Sequence, residues 1–177
     1  MKPKYINDNL ESLIELLPKV VQIGLASTSS RIELLEIILD LGRLPEARYP
    51  GKVVTLGEEY VTRNDLKEVV RKLGVFGEDN RTGIEKTLHR ISAIRNRQQE
   101  IIGLTCRVGR AIFGTVKMIT DLIESDRSLL LMGRPGIGKT TALREIARVM
   151  ADDFHRRVVI IDTSNEIAGD GDIPHPA

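Results

Sequence analysis

The first forty residues carry apolar side chains at two different spacings. Apolar residues three or four positions apart, as on one face of a helix, are Leu10, Leu13, Leu17 and Val21. Either Asp8 or Asn9 is suited to cap the start of that helix. Ser30 and Glu33 have the spacing of a capping box, so a second helix is predicted to begin there. After Glu36 the apolar pattern changes to the alternation that is typical of a strand.

Turn-forming residues and further strands follow. Gly42 and Arg43 predict a turn, and Pro45 argues against a central strand directly afterwards, because proline cannot donate to a strand ladder. Two more strands are predicted at residues 88–95 and 101–108, on either side of a polar turn. The residues that share the apolar face of the second of these strands are Ile102, Leu104, Cys106 and Val108.

Residues 62–73 give the clearest helix of the chain. Thr62 and Asp65 stand at the two positions of a capping box, and Gly74 follows the last turn. The residues of its predicted apolar face are Leu66, Val69, Val70 and Leu73. This segment therefore has a start signal, a stop signal and a buried face.

The pattern of the C-terminal third of the chain predicts a compact unit. Apolar strands are predicted at residues 128–132 and 158–161, with a glycine-rich loop at 133–138 and a helix at 139–150 between them. The residues of this helix that are predicted to face inward are Leu143, Ile146, Ala147 and Met150. A strand, helix and strand in this order predict a parallel unit with a right-handed crossover. A short helix that carries Val116, Ile119 and Ile123 is predicted to join this unit to the rest.

Composition narrows the class of protein. Of the 177 residues, 41% are hydrophobic and 29% are charged, which favours a folded domain over a disordered chain. The net charge of +1 predicts no general attraction to nucleic acid or anionic lipid. The single cysteine, Cys106, excludes an internal disulfide and is interpreted as a core residue. The start of the chain lacks a signal-peptide core, and no apolar run is long enough to span a membrane.

Residues 133–140 match the phosphate-binding pattern G-x-x-x-x-G-K-[ST] at every fixed position, which chance would produce in about one chain in a hundred of this length. Glycines let the backbone curl so that its N–H groups face phosphate oxygens. Lys139 brings a full positive charge to the β- and γ-phosphates, and the Thr140 hydroxyl suits magnesium. An ordinary glycine-rich turn is the alternative. The predicted nucleotide-binding residues are Gly133, Arg134, Pro135, Gly136, Ile137, Gly138, Lys139, Thr140 and Thr141.

Acidic residues follow the second predicted strand of this unit. Asp162 lies at the strand end, where ligands bind in open α/β sheets, and is a candidate for holding magnesium through water. Glu166 is a candidate catalytic residue beside Lys139, because its carboxylate is suited to orient a water molecule. A solvated acidic loop is the alternative for Asp162 and Glu166. Asp170 and Asp172 are interpreted as solvated loop acids of this kind, and His175 as incidental.

Basic residues are concentrated between residues 81 and 110. They are Arg81, Lys86, Arg90, Arg95, Arg97, Arg107 and Arg110. Two interpretations stay open for them, either a solvated face of the hairpin or a surface that grips the phosphates of nucleic acid or of ATP on a neighbouring subunit. The absence of Phe, Tyr and Trp from this segment argues against a platform for stacking bases.

Most of the chain, from about Leu10 onward, resembles a family of reading frames from cyanobacteria and plastids that is related to stage III sporulation protein AA. The stretches that carry the resemblance are VTRNDLKEVVRKL, LHRISAIRNRQQEIIGLTCRVGRAI, LLLMGRPGIGKTTALREIAR and VVIIDTSNEIAGDGDIPHP. The glycine loop and the stretch that begins at Asp162 are its most specific parts. Both groups are similar to the traffic ATPases of secretion and pilus retraction.

The resemblance implies an α/β protein with an N-terminal α/β domain at 1–112, a linker helix at 113–128 and a truncated RecA-like P-loop domain at 129–177. It implies ATP and Mg²⁺ as ligands, bound between the subunits of a homo-oligomeric ring that is often a hexamer. In such rings, arginines of the N-terminal domain reach the nucleotide, and Arg107 and Arg110 are the candidates here.

The resemblance also implies an acidic box, whose first and last acids match Asp162 and Glu166. It implies that a Walker B carboxylate and a C-terminal domain that binds single-stranded nucleic acid lie beyond this chain. We therefore expect the chain to be the N-terminal part of a longer ATPase. The expected location is the cytoplasm of a cyanobacterium or the stroma of a plastid.

Two other functions use the same residues. A GTP switch or a small-molecule kinase would share the glycine loop and differ in residues that specify the base. A nucleic-acid-binding module would instead use the basic hairpin at residues 81–110, with a vestigial nucleotide site. Binding to single strands that weakens as salt rises would favour this second alternative.

Overall fold

The computed structural model describes residues 4–6, 9–28, 31–125 and 127–175. Its strands are β1 (Lys4–Ile6), β2 (Glu36–Asp40), β3 (Glu46–Tyr49), β4 (Lys52–Thr55), β5 (Arg81–Gly83), β6 (Arg90–Arg95), β7 (Ile101–Arg107) and β8 (Ala111–Phe113). Its α-helices are α1 (Leu10–Ile14), α2 (Lys19–Ala26), α3 (Arg63–Leu73), α4 (Thr120–Glu124) and α5 (Lys139–Arg148). Among these described helices, none has the length and apolarity that crossing a membrane requires.

A six-stranded antiparallel sheet forms the centre of the fold, with the strand order β4-β3-β2-β7-β6-β5. A separate antiparallel pair joins β1 to β8. The strand predicted from about Glu36 is confirmed as β2, and the hairpin predicted at 88–95 and 101–108 is confirmed as β6 and β7. The chain is therefore a mixed α/β protein with an antiparallel sheet.

The two faces of this sheet differ in chemistry. Paired residues on the inner face are Ala47, Ile37, Cys106 and Ile91, and all four are completely buried. Burial raises the pKa of the Cys106 thiol to about 12, so its prediction as a core residue is confirmed. The neighbouring row on the outer face consists of Arg48, Glu36, Arg107 and Arg90. Alternation along each strand thus gives an apolar inner face and, in this row, a charged outer face.

Helix α3 confirms the clearest prediction from the sequence. The Thr62 hydroxyl accepts from the backbone N–H of Asp65, and the Asp65 carboxylate accepts from the backbone N–H of Thr62 at 2.8 Å. Leu66 and Val69 are buried in the core, while Val70 and Leu73 pack against it. The capping box and the apolar face of α3 are each defined by residues that lie close together in the chain. Both could therefore be predicted without knowledge of tertiary contacts.

The N-terminal helix prediction was wrong in its length. Two helices, α1 and α2, replace the single helix, because Pro18 has no N–H for a helical hydrogen bond. Asn9 stands at the start of α1 without a side-chain capping bond, and Asp8 lies outside the described residues. The helix predicted from Ser30 and Glu33 is only a 3₁₀ turn at Arg31–Glu33, and Ser30 also lies outside the described residues.

The hairpin of β3 and β4 was not predicted. Pro45 immediately precedes β3, so its missing N–H removes no bond from the ladder, and its carbonyl accepts from Leu56 at 2.8 Å. Strand β3 lies between β4 and β2, inside the sheet. The interpretation of Pro45 was therefore wrong. Pro50 and Gly51 form the tight turn between the two strands, and this pair was the signal that sequence reasoning missed.

The two strands predicted for the C-terminal unit, at 128–132 and 158–161, were also wrong. Both segments are irregular, and neither enters a ladder with another described residue. Leu130 and Met132 are 80% and 82% exposed, and Val159 and Ile161 are 79% and 84% exposed. The predicted parallel crossover is consequently absent from the described residues. A pair of short strands covered by one helix gains too little burial to be stable by itself.

The helix predicted at 139–150 is confirmed as α5, which continues as a π-helical turn at Val149–Asp153. Its inward face was only partly predicted, because Leu143 is 42% exposed whereas Glu145 is buried. A second apolar cluster contains Val116, Ile123 and Val149, with Ile146, Met150 and other residues packed against it. The predicted joining helix is a 3₁₀ turn at Lys117–Ile119 followed by α4. The predicted domain boundaries stay predictions.

Candidate functional site

The glycine-rich loop leads directly into α5. Gly136 and Gly138 have φ angles of +78° and +97°, a conformation that costs other residues about 1–2 kcal/mol. A Cβ on either glycine would meet no heavy atom within 4 Å, so backbone freedom rather than close packing explains glycine here. Helix α5 begins at Lys139. Its first N–H groups have no partners within the helix and can bind an anion.

The Lys139 side chain folds back across this loop. Its ammonium donates to the carbonyl oxygens of Gly133 at 2.9 Å and Arg134 at 3.0 Å. Among the described residues, no carboxylate forms an ion pair with Lys139. The positive charge is therefore held over the loop by neutral acceptors only.

The structure brings two of the predicted site residues together. The Thr140 hydroxyl on the first turn of α5 donates to the Glu166 carboxylate over 3.3 Å. Both oxygens are hard donors of the kind that Mg²⁺ prefers. The described part of the chain has no cluster of three His, Cys, Asp or Glu side chains able to hold a metal ion. A cation bound here would therefore also need oxygens from water or from a phosphate.

Asp162 shapes the loop that carries Glu166. One carboxylate oxygen accepts from the backbone N–H of Glu166 at 3.1 Å, and the other accepts from Ile167 at 2.7 Å and Ala168 at 3.1 Å. Burial by itself raises the pKa of Asp162, but these backbone donors together lower it below its ordinary value. Both oxygens of the ionised carboxylate thus already accept hydrogen bonds from the loop backbone. Its predicted role as a magnesium ligand stays a prediction.

Arg144, one turn after Thr140 on α5, holds the same loop from the other side. Its guanidinium donates to the backbone carbonyls of Ile167 and Glu166, each at 2.7 Å. The peptide groups around Glu166 are therefore fixed by Asp162 through their N–H groups and by Arg144 through their carbonyls. Sequence reasoning missed Arg144, although its spacing of four residues from Thr140 places both on one face of the helix.

A cleft of about 280 Å³ separates this site from the outer face of the sheet. Arg90 and Arg107 line it from the sheet, and Thr140, Thr141 and Arg144 line it from α5. The Nε atom of Arg90 is buried and makes no hydrogen bond to any residue that the structure describes. Guanidinium groups and hydroxyls facing one cleft provide donors for a polyanion such as a phosphate chain.

The other arginines of the basic hairpin lie in different surroundings. Arg107 also pairs with Glu36 at 3.5 Å. Arg110, which was predicted to act with Arg107, donates instead to the backbone carbonyl of Leu34. Arg95 donates to the Asn80 side chain at 2.6 Å. The arginines of the described hairpin therefore have different partners at separate places. These described arginines do not form one continuous basic surface.

The segment after Glu166 packs closely against the turn between β5 and β6. A Cβ on Gly169 would lie 2.5 Å from the Thr87 carbonyl oxygen, and one on Gly171 would lie 2.9 Å from the Glu85 Cα. The Lys86 N–H donates to the Ile173 carbonyl at 2.9 Å. These contacts attach the loop to the turn between β5 and β6. Sequence reasoning missed this contact because the two segments are far apart in the chain.

The two aspartates of this segment differ. Asp170 is half-buried beside the cleft, and burial raises its pKa although the nearby Arg90 acts in the opposite direction. Asp172 is exposed, as its interpretation as a solvated acid requires. That interpretation was therefore wrong for Asp170. His175 donates its backbone N–H to the Ala168 carbonyl at 2.9 Å, which helps to close the loop.

Three curated proteins are similar to almost the whole chain. The uncharacterized protein ycf45 of Porphyra purpurea is 60% identical over 172 residues, which is 97% of this chain and 30% of that protein. SEEDLING PLASTID DEVELOPMENT 1 of Arabidopsis thaliana is 52% identical over 166 residues, covering 94% of this chain and 24% of that protein. The uncharacterized protein ycf45 of Cyanidium caldarium is 45% identical over 170 residues, covering 96% and 51% respectively.

The chain thus spans about a quarter to a half of the length of the curated relatives it matches. These homologues confirm the resemblance to proteins of plastids. No protein-family model matches the chain. Among solved structures, the X-ray structure of the Legionella pneumophila ATPase DotB is similar, with a TM-score of 0.48 and 16% sequence identity. That match covers 67% of this chain and 38% of DotB, and the likeness is distant.

Proposed function

We propose that the chain binds ATP with Mg²⁺ at the glycine-rich loop and forms the nucleotide-binding part of an ATPase. The observation that carries this proposal is the position of Lys139, whose ammonium lies across the loop on two neutral carbonyls. Phosphate oxygens accept stronger hydrogen bonds from an ammonium than neutral carbonyls do. An incoming phosphate chain would therefore draw Lys139 away from Gly133 and Arg134 without breaking an ion pair.

Each residue of the cleft has a role under this proposal. The loop backbone and the start of α5 bind the phosphates, and the Thr140 hydroxyl contributes an oxygen ligand for magnesium. When bound, Mg²⁺ supplies charge neutralisation for the β- and γ-phosphates. Glu166 lies beside Thr140, and its carboxylate is suited to orient a water molecule. That water could be free or bound to the Mg²⁺ ion. Arg90 and Arg107 add positive charge from the sheet side of the cleft.

The experiment compares binding of MgATP to the chain and to two matched variants by titration calorimetry. Lys139→Ala should weaken binding about 10- to 100-fold, since a charge-assisted hydrogen bond contributes about 1.5–3 kcal/mol. Lys19→Ala removes an exposed lysine of α2 and should leave affinity unchanged. Equal affinity of all three proteins would show that the loop is not the nucleotide site. Competition by GTP in the same assay shows whether the site prefers ATP or GTP.

A nucleic-acid-binding module is the less favoured function. The basic residues of the hairpin are separated by the fold, and several already contact acceptors within the described chain. The ring and the single-stranded nucleic-acid-binding domain expected of a longer protein remain proposals. Binding of a single-stranded oligonucleotide with a strong dependence on salt, together with a failure to bind MgATP, would reverse this order.

A further inference from the structure

A groove of about 410 Å³ lies between α3 and the hairpin of β6 and β7. Its floor is apolar and consists of Leu66, Val70 and Ile101. Helix α3 packs on the inner face of the sheet, whereas Arg90 and Arg107 project from the outer face. The α3 groove is therefore on the opposite side of the sheet from the candidate nucleotide site, and that site does not account for it.

Basic residues surround this apolar floor. Arg63 is paired with Glu100 at 3.1 Å, and Arg95 donates to the Gln99 carbonyl at 2.7 Å. Lys67 and Arg71 are exposed and form no ion pair with the residues that the structure describes. They are four residues apart on α3, so about 6 Å of helix axis separates them. Beside the hydrogen bonds from Asn96 and Arg63, Lys67 is near enough to Glu100 to contribute to the lowered pKa of that carboxylate. The groove thus presents two exposed cations beside an apolar strip, and one of them, Lys67, also faces Glu100.

The segment at residues 118–124 has the complementary pattern. Met118 is 93% exposed and Leu122 is 47% exposed, and the two side chains are four residues apart. Asp121 and Glu124 are exposed beside them on α4, three residues apart, and form no ion pair within the described chain. The acidic pair has helical spacing on α4, and Met118 precedes α4 in the 3₁₀ turn at Lys117–Ile119. The segment thus combines exposed apolar and acidic side chains.

We propose that residues 118–124 of one copy of this chain dock into the α3 groove of a second copy. Met118 and Leu122 would cover the floor at Val70 and Ile101, and the two carboxylates would face Lys67 and Arg71. Two exposed cations of the groove would face two exposed carboxylates, which are four and three residues apart along their helices. Nucleic acid fits the groove less well, because no aromatic side chain lines it to stack on bases.

The two surfaces are different parts of the same molecule, so the contact is heterologous. Each copy offers its groove to one neighbour and its acidic segment to another, which builds a ring where the rotation closes and a filament where it does not. The proposal does not depend on the nucleotide site, because none of these residues lies at the glycine loop. Failure of one proposal therefore leaves the other intact.

Charge reversal with rescue tests the contact by sedimentation velocity. Lys67→Glu with Arg71→Glu should lower the association constant of the chain at least tenfold, and so should Asp121→Lys with Glu124→Lys. A single chain that carries all four reversals should recover association, because its acidic groove then faces a basic segment and no wild-type contact is left. Lys19→Glu with Lys52→Glu makes the same charge change on other exposed positions and should leave association unchanged.

Disulfide trapping tests the same contact independently of its strength. Cys106 is completely buried, so thiols added at the surface can be followed separately. A mixture of the Arg71→Cys and Asp121→Cys chains should form a disulfide-linked dimer on mild oxidation. A mixture of Arg71→Cys and Lys19→Cys should not. Circular dichroism of every variant should match that of the wild-type chain.

Several results would overturn the proposal. They are a chain that stays monomeric at all concentrations, self-association that survives reversal of the groove charges, and equal trapping in both cysteine mixtures. Titration with a fluorescent oligothymidine distinguishes nucleic acid from a second copy. Oligothymidine binding that is lost in the Lys67→Glu and Arg71→Glu chain, with self-association unchanged, would assign the groove to nucleic acid instead.

Discussion

The carboxylate of Glu145, in the middle of α5, accepts a hydrogen bond of 2.7 Å from the backbone N–H of Gly114. Glu145 is only 5% exposed and also pairs with Arg148 at 3.0 Å. Its hydrogen bond raises the pKa of the Arg148 guanidinium above the ordinary value. That guanidinium lies 5.1 Å from the centre of the Phe113 ring on β8. The helix that begins at Lys139 is thereby attached to the end of β8.

This attachment predicts a large effect of Glu145→Ala on stability. The N–H of Gly114 and the guanidinium of Arg148 would both lose their buried acceptor, at a cost of about 2–4 kcal/mol in the free energy of unfolding. Glu59→Ala, which removes an exposed carboxylate, should change it by less than about 0.5 kcal/mol. Urea unfolding measures both. Equal stability of the two variants would mean that Glu145 does not hold α5 in place.

The two half-buried aspartates near the cleft predict opposite effects of pH. The folded chain lowers the pKa of Asp162, so the stability it contributes is present above its ordinary pKa and is lost as pH falls through the folded value. The folded chain raises the pKa of Asp170, so its contribution is present at low pH and is lost as pH rises. Asp162→Asn should therefore destabilise the chain at pH 7, whereas Asp170→Asn should stabilise it. Urea unfolding at pH 7 and pH 4 gives the signs, and shifts in the same direction would contradict the assignment.

The cleft arginines predict a ranking for nucleotide binding that differs from the sequence-based one. Arg90→Gln and Arg107→Gln should each weaken MgATP binding by the chain about tenfold, since both side chains line the cleft. Arg110→Gln should leave affinity unchanged, because Arg110 bonds to the Leu34 carbonyl. It should instead lower stability by about 1–3 kcal/mol. Loss of MgATP binding in Arg110→Gln, with unchanged binding in Arg90→Gln and Arg107→Gln, would contradict this assignment of the cleft.

The exposed apolar segments at residues 128–132 and 158–161 should accept charged substitutions with little loss of stability. Leu130→Glu and Ile161→Glu change residues that are 80% and 84% exposed, so each should alter the free energy of unfolding by less than about 0.5 kcal/mol. Leu104→Glu would bury an unpaired carboxylate in the core, because Leu104 is completely buried, and should prevent folding. Thermal unfolding followed by circular dichroism checks this contrast. Severe destabilisation by Leu130→Glu would mean that the segment is a buried strand, as the sequence alone predicts.

Close packing of the C-terminal loop predicts a specific effect of Gly169→Ala. The new methyl group would approach the Thr87 carbonyl oxygen to 2.5 Å, in addition to the strain of a φ angle of +95°. Gly42→Ala adds comparable backbone strain at a φ of +73° with nothing within 4 Å, and should cost only about 1–2 kcal/mol. Hydrogen exchange should show loss of protection at the Lys86 amide in Gly169→Ala only. Retained protection there would contradict the contact.

Local signals explain the parts of the fold that sequence reasoning obtained. Helix α3 has its capping box, apolar face and terminal glycine within thirteen residues. The hairpin of β6 and β7 and the start of α5 likewise depend on neighbours in the chain. At Pro18 the error concerned the length of a helix, whereas at Pro45 two strands, β3 and β4, were missed. The apolar stretches at 128–132 and 158–161 were different, because a strand forms only when its ladder partners and covering side chains are present.

The sequence by itself determined which residue types stand in the glycine-rich loop and at what spacing, and the proposal of phosphate binding rests on that pattern. The tertiary structure alone decided which distant groups share the candidate site. It placed Glu166 beside Thr140, committed Asp162 to the loop backbone, brought Arg90 to the cleft and removed Arg110 from it. Such relationships join residues far apart in the chain, and their geometry depends on how the sheet and α5 pack together.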